Sequence, residues 1–270
     1  MCIIQGYTEG VNDTLILAFP TVDKRSQVTV YSNKVQLRDQ RPVGHPDLEA
    51  FFPGYTQQFL APQAGAAMIL PVPRGAEAFE MIDTSDCSDL FEQIDGCFPV
   101  SPKLKSSRGF ETYANSYLEV KSCGSYKYSL LPSLAAFDQV DPSVFRLDSE
   151  VKGLLQSAYP ASFAFLVCKI EESKKFHPVA YKHPLPSDGQ LFIPTLHFHQ
   201  GHHDQNHPDW DHRIYVVGNQ NLGLGATSAD KLRELGCFRE VMPPVRADTF
   251  RRLKIQGSFP NRDLRVPVAG

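Results

Sequence analysis

The chain of 270 residues lacks several features that would define a function outright. None of its six cysteines (Cys2, Cys87, Cys97, Cys123, Cys168 and Cys237) forms a C-x-x-C pair, which excludes zinc ribbons and thioredoxin-type redox motifs. Basic charge is not in excess: 27 Lys and Arg stand against 30 Asp and Glu, for a net charge of -3. A nucleic-acid partner needs a dominant basic surface to neutralise phosphates, so none is expected. No apolar run reaches the roughly 18 residues of a membrane span, and no membrane partner is expected either. The opening Met1-Cys-Ile-Ile-Gln-Gly6 has no charged stretch followed by an apolar core, which predicts a cytoplasmic chain with reduced thiols. In a secreted form, Cys87 and Cys97 would be the pair to bridge. Repeats of fixed period are absent as well.

What remains is the composition of an ordinary globular protein, with 42% hydrophobic and 11% aromatic residues, enough to build a core without staples. Runs with two-residue alternation occur at Thr14–Phe19, Gln27–Tyr31, Tyr117–Val120 and Tyr126–Leu131. Further runs of strand length lie at Phe163–Ile170, Leu191–Ile193, Leu196–His199 and Arg213–Val217. Ala66–Pro73 reads as a buried strand ended by its prolines, suited to a sheet edge. Helical stretches are fewer and shorter: Asp47–Phe52, Cys87–Ile94, Ser149–Leu155 and Ser228–Leu235, the last stopped by Gly236. The Arg-rich segment from Arg246 to Arg265 reads as a solvated helix face. Strands do not alternate with long helices, so the pattern predicts an α+β fold with antiparallel-rich sheets and a few short helices. One domain over 1–270 is expected. A subdivision into 1–98 and 110–270 would fall at the Ser-, Pro- and Lys-rich stretch between them.

Three segments carry a resemblance. A strand pair runs from Cys2 to Val28-Thr-Val30, followed by Ala66-Ala-Met-Ile-Leu-Pro-Val-Pro73. Then comes Gly124-Ser-Tyr-Lys-Tyr-Ser-Leu-Leu131, with a short helix and Phe165-Leu-Val-Cys-Lys169 after it. Over about the first two-thirds of the chain, this layout resembles a bacterial family filed as domain of unknown function 2330. Its members start at a Cys, carry an Ala-Met-Val-Val-Pro-Val-Pro-like stretch and later a Gly-Glu-Tyr-led strand. Here the family's exported character and the histidine-rich window described next are not matched. The resemblance implies shared architecture and transfers no catalytic residue.

Nine histidines are present, and six of them (His197, His199, His202, His203, His207 and His212) crowd one window that also holds Asp204, Asp209 and Asp211. If Leu196–His199 is a strand, His197 and His199 share one face, the His-x-His spacing that lets two imidazoles reach one cation. A loop follows with His203 and Asp204, and His212 opens the next strand. Imidazole with carboxylate suits zinc, iron, manganese or nickel, so a divalent metal held by His197, His199, His203, Asp204 and His212 is one reading. An open coordination position there would activate water for hydrolysis. The plain alternative is a solvated loop whose rings cap turns or bond carboxylates.

Cys2 is the second candidate. Removal of the initiator Met would leave its thiol beside a free α-amine, the nucleophile and base of an N-terminal-nucleophile amidohydrolase. A variant pairs Cys2 or Cys123 with a histidine of the window as a Cys–His dyad. Three classes therefore stand open: a metal-dependent hydrolase, a Cys2 amidohydrolase, and a non-enzymatic binding module with a His-rich loop. In each, the partner is an unidentified small molecule or peptide.

Overall fold

The computed structural model describes residues 2–5, 8–37, 66–73, 78–99, 120–140, 147, 149–170, 177–199, 209–217, 223–229, 232 and 235–268. The expected helix at Asp47–Phe52 lies outside these residues, as do most of the expected strand Tyr117–Val120 and half of the expected helix Ser228–Leu235.

Strands β1 (Cys2–Gln5), β4 (Ala66–Val72), β6 (Lys121–Cys123), β7 (Tyr126–Leu131), β8 (Ala164–Ile170) and β11 (His197–His199) form a six-stranded sheet in the order β11-β1-β4-β8-β7-β6. A seven-stranded sheet contains β2 (Thr8–Pro20), β3 (Ser26–Leu37), β5 (Glu80–Ile82), β9 (Val179–Pro184), β12 (Asp209–Val217), β13 (Leu224–Gly225) and β14 (Phe250–Ser258). Its order is β13-β14-β12-β2-β3-β9-β5. Strands β10 (Gln190–Ile193) and β15 (Leu264–Pro267) pair with each other. Two contacts are parallel, β1 with β11 and β2 with β12, and the other pairings are antiparallel. Both large sheets take strands from either side of the Ser-, Pro- and Lys-rich stretch. The α-helices are short: α1 (Leu90–Asp95) and α2 (Ser149–Ala158). The molecule is thus sheet-rich and antiparallel-dominated, with few helices.

Strand alternation explains the layering. On β2, Ile16 and Ala18 face the six-stranded sheet and join Ile69, Leu70 and Leu166 in one core. Leu17 and Phe19 point the other way, into a second core with Leu90, Phe91 and Phe238. Strand β12 repeats the division, Ile214 and Val216 on the inner face and Tyr215 and Val217 on the outer. Both faces of this sheet are therefore covered, so its central strands read as nearly continuous apolar runs. Each fully buried Leu, Ile or Phe contributes about 1.5–3 kcal/mol to holding the layers together. Inside the double core a buried Gln27 bonds Phe192 as a strand would: its Oε1 accepts from the Phe192 N–H (2.8 Å) and its Nε2 donates to the Phe192 carbonyl (2.6 Å).

Four expectations need correction. Residues 250–258 form β14, an inner strand, where a solvated helix face was expected from the arginines. Arg252 is buried there, its guanidinium over the Phe98 ring and bonded to Asp95 (3.2 Å), which also accepts from Arg213 (2.8 Å) and Tyr215 (2.6 Å). Tertiary pairing supplies what the local charge pattern hides. Strand β4 is internal and fully buried and runs through Pro71, where its prolines suggested an edge. The ladder to β1 covers only Ala67–Ile69, so at Pro71 the described pairing is with β8 alone and the missing N–H costs little. Instead of reduced thiols, or a bridge to Cys97, Cys87 forms a disulfide with Cys237. Cys97 is buried, its thiol donating to the Gln93 carbonyl (3.8 Å). Finally, β5 is a strand that the sequence pattern does not announce.

Candidate functional site

The site forms where the two large sheets meet at the β11 edge. Strand β11 is brought there by the parallel register with β1, which sets Cys2 opposite His197, Ile3 opposite Phe198 and Ile4 opposite His199. His197 is buried on β11, and across the sheet interface its ring lies 5.5 Å, centroid to centroid, from that of His212 on β12. His212 is fully buried, on the same face of β12 as Ile214. Two residues earlier on that face, Trp210 sets its ring 4.7 Å from His212 and 6.3 Å from the exposed Phe259. His197, His212 and Trp210 thus follow one another ring to ring, and the strand register sets Cys2 opposite the first of them.

Side chains from the β14–β15 connection fix the strand that carries His197. Asn261 accepts from the His197 N–H (2.7 Å) and donates to the His197 carbonyl (2.7 Å), standing in for a neighbouring strand at the sheet edge. Asp263 accepts from the N–H groups of Thr195 (2.8 Å) and Leu196 (2.7 Å) and from the Tyr159 hydroxyl (2.7 Å). Burial pushes the Asp263 carboxyl above its usual range, against the opposing effect of those hydrogen bonds. On the other side, a β-bulge of β2 places Asp13 in the left-handed region (φ 53°), and its N–H donates to the Asp211 carboxylate. The second Asp211 oxygen is 3.7 Å from His212 Nδ1. Burial raises the Asp211 carboxyl as well.

The five proposed metal ligands fare differently. His197 and His212 come together; His199 is on β11 two residues from His197; His203 and Asp204 lie outside the described residues. Among the described residues no group of three His, Cys, Asp or Glu is arranged to hold a metal ion. Cys2 stands opposite His197 in the register of the two strands. Asn261, Asp263 and Phe259 are site residues that sequence reasoning missed, and no periodicity marks the turn in which they sit.

Cys123 has other company. The Cys123 thiol is pushed up by burial and by the nearby Asp83, which disfavours the reactive thiolate. His177, outside the window, lies against the neighbouring Gly124 and Ser125, and its ring is engaged in the fold. Its Nδ1 donates to Thr84 Oγ1 (2.9 Å), and its Nε2 accepts from the Ser125 N–H (2.9 Å). A concavity of about 290 Å³ is lined by Leu232, Phe238, Arg239, Met242 and Pro243–Val245, and no candidate residue borders it.

No family model matches the chain. Among solved structures, it is similar to a mutated baculovirus P35 after caspase cleavage, at 9% identity over 96% of this chain and 100% of that one, with a TM-score of 0.45. At that distance the likeness carries no argument about fold or function.

Proposed function

We propose that this chain is an α+β protein that performs acyl chemistry at Cys2, with His197 as the base, in the manner of a Cys-dependent amidohydrolase. The observation that carries the reading is the parallel register that sets Cys2 opposite His197 at a buried edge. Such a dyad works in two balanced steps. The Cys2 thiol gives its proton to the imidazole, and the sulfur attacks an amide carbonyl. The C–N bond then breaks, the amine leaves with the proton from His197, and a thioester remains. Water, deprotonated by His197, attacks the thioester; acid leaves and the thiol is restored. His212 stands behind His197 and positions it, and Asn261 holds the strand that carries it.

The metal reading has its own support in the two buried imidazoles 5.5 Å apart, to which His199, His203 and Asp204 would add ligands. It predicts that zinc, nickel, manganese or iron changes the fluorescence of Trp210, beside His212.

The test is iodoacetamide labelling with site mapping across pH. Cys2 is expected to label at least about tenfold faster than Cys123 near neutrality. His197→Gln should slow Cys2. If Cys2 reacts no faster than Cys123 and is indifferent to His197→Gln, the dyad is wrong.

A further inference from the structure

The concavity over the outer core lies apart from the Cys2 edge and is open to solvent. Phe238, Val245 and Leu232 form its floor at 0%, 2% and 3% exposure, and all three belong to the outer core. Met242 and Pro243 stand half-exposed at its wall, and Arg239 and Pro244 are exposed at its rim. Its volume of about 290 Å³ matches the low end of small-molecule sites and equals that of about ten waters at about 30 Å³ each, so it takes a ligand of about ten heavy atoms. The shape is fixed before any ligand arrives. The Phe238 carbonyl accepts from the N–H groups of Val241 (3.1 Å) and Met242 (2.8 Å), which turns the chain back between floor and wall. Behind the floor, the Phe238 ring meets that of Phe19 edge-on at 5.8 Å, and the adjacent Cys237 is tied covalently to Cys87. Pro243 and Pro244 restrict the backbone of the wall. A site held in this way loses little freedom when it binds.

Arg239 gives the concavity its polarity. Among the described residues neither its guanidinium nor the carboxylate of the adjacent Glu240 is in an ion pair, whereas Arg213, Arg252 and Arg246 are each held by an aspartate. The two prolines carry no N–H, so the wall they form offers an anion no backbone donor to compete with that guanidinium. We infer that this concavity binds a monocarboxylate with an apolar tail of about eight carbons: the tail lies on Phe238, Met242 and Val245, and the carboxylate meets the Arg239 fork. One planar guanidinium matches one carboxylate with two parallel hydrogen bonds. A doubly charged phosphate would leave a charge unanswered there. The site goes beyond the Cys2 reading and does not depend on it.

Met242 is one of four methionines, so methyl-carbon-labelled methionine gives the full-length protein few signals, and Met242→Leu assigns the one at this wall. Octanoate should shift that signal saturably, with half-saturation at or below about 1 mM. Octan-1-ol has the tail without the charge and should bind about fivefold more weakly, the loss expected for a charge-assisted contact at a solvated rim. Butyrate, with the charge and a short tail, should leave the signal in place. Arg239→Gln should weaken octanoate by the same factor and leave octan-1-ol unchanged. Because Arg239 is exposed, the thermal midpoint of that variant should equal the wild-type value, so its weaker response reports the lost contact and not a damaged fold. Cys2→Ser should bind octanoate as wild type does. A Met242 signal unmoved by octanoate up to about 10 mM, equal affinity for octanoate and octan-1-ol, or the same octanoate affinity in Arg239→Gln overturns the inference. The two readings fail separately: an unreactive Cys2 leaves this site standing, and a Met242 signal that ignores octanoate leaves the dyad untouched.

Discussion

Two pairs of buried or half-buried histidines can be compared, and they are held in opposite ways. For His177 and His183 both ring nitrogens go into fastening the fold. His183 Nδ1 donates to the Pro184 carbonyl (3.0 Å) and its Nε2 accepts from Thr29 Oγ1 (3.2 Å), which in turn accepts from Gln27 (2.8 Å). His177 ties Thr84 at the end of β5 to Ser125 in the β6–β7 turn, and so joins an end of one sheet to an end of the other. For His197 and His212 the defining contact is ring to ring, and the strand that carries His197 is fixed through its main chain by Asn261. Burial does not separate the pairs, since His183 and His212 are both fully buried. What differs is the kind of contact: His177 and His183 tie separate segments together through both ring nitrogens, whereas His197 and His212 meet ring to ring across two strands.

The largest effect that would sharpen this contrast is acid titration. Burial holds His183 down at about 4 against an ordinary value of 6.5, so the fold keeps the neutral ring. Between those values the unfolded chain binds the proton more readily. The contribution is complete above 6.5 and is lost as pH falls toward 4, amounting to about 3 kcal/mol, measurable as a fall in the urea midpoint. His177, also held down chiefly by burial, should add to the loss in the same direction. Flat stability from pH 7 to 4 would break the comparison at its structural half.

Next in size is Gly124→Ala. Gly124 has φ +55°, and an added Cβ would lie 2.3 Å from His177 Nε2 and 3.2 Å from Asp83 Oδ1. A cost of about 2 kcal/mol is expected, with Cys2 labelling at pH 7 unchanged. Asn261→Ala, which removes both bonds to His197, should cost about 1–2 kcal/mol and slow Cys2 labelling as well. A loss of stability with no change at Cys2 would show that Asn261 only closes a sheet edge. The smallest effect is spectroscopic: His212→Gln removes the ring 4.7 Å from the Trp210 indole and should change Trp210 emission while the fold is retained.

The sheet content was legible because alternation survives in the sequence wherever a strand has apolar residues on a buried face. Tyr126–Leu131 shows this, while Leu191–Ile193 was legible as an unbroken apolar run. It was not legible in β14, where Arg251, Arg252 and Lys254 conceal the pattern and the burial of Arg252 depends on Asp95, more than half the chain away. Nor was it legible in β5, a three-residue strand placed by its pairing with β9. Of the site, His197, His212 and Cys2 stood out by count and by position. Their alignment did not, because a parallel strand pair is made by distant segments and leaves no local trace. Asn261 and Asp263 act through single hydrogen bonds from a turn, which is also invisible to periodicity. The disulfide escaped for the same reason, since spacing favoured Cys97 as the mate of Cys87 and the fold supplied Cys237.

The parallel β1–β11 pair also sets a clock during synthesis. Strand β1 leaves the ribosome long before β11, and pairing across so much intervening chain is slow to form. Until β11 arrives, one side of β1 lacks its partner. A chain released early would therefore expose a strand edge, and under the proposed dyad its Cys2 would stay unreactive, so labelling of Cys2 would mark a completed molecule.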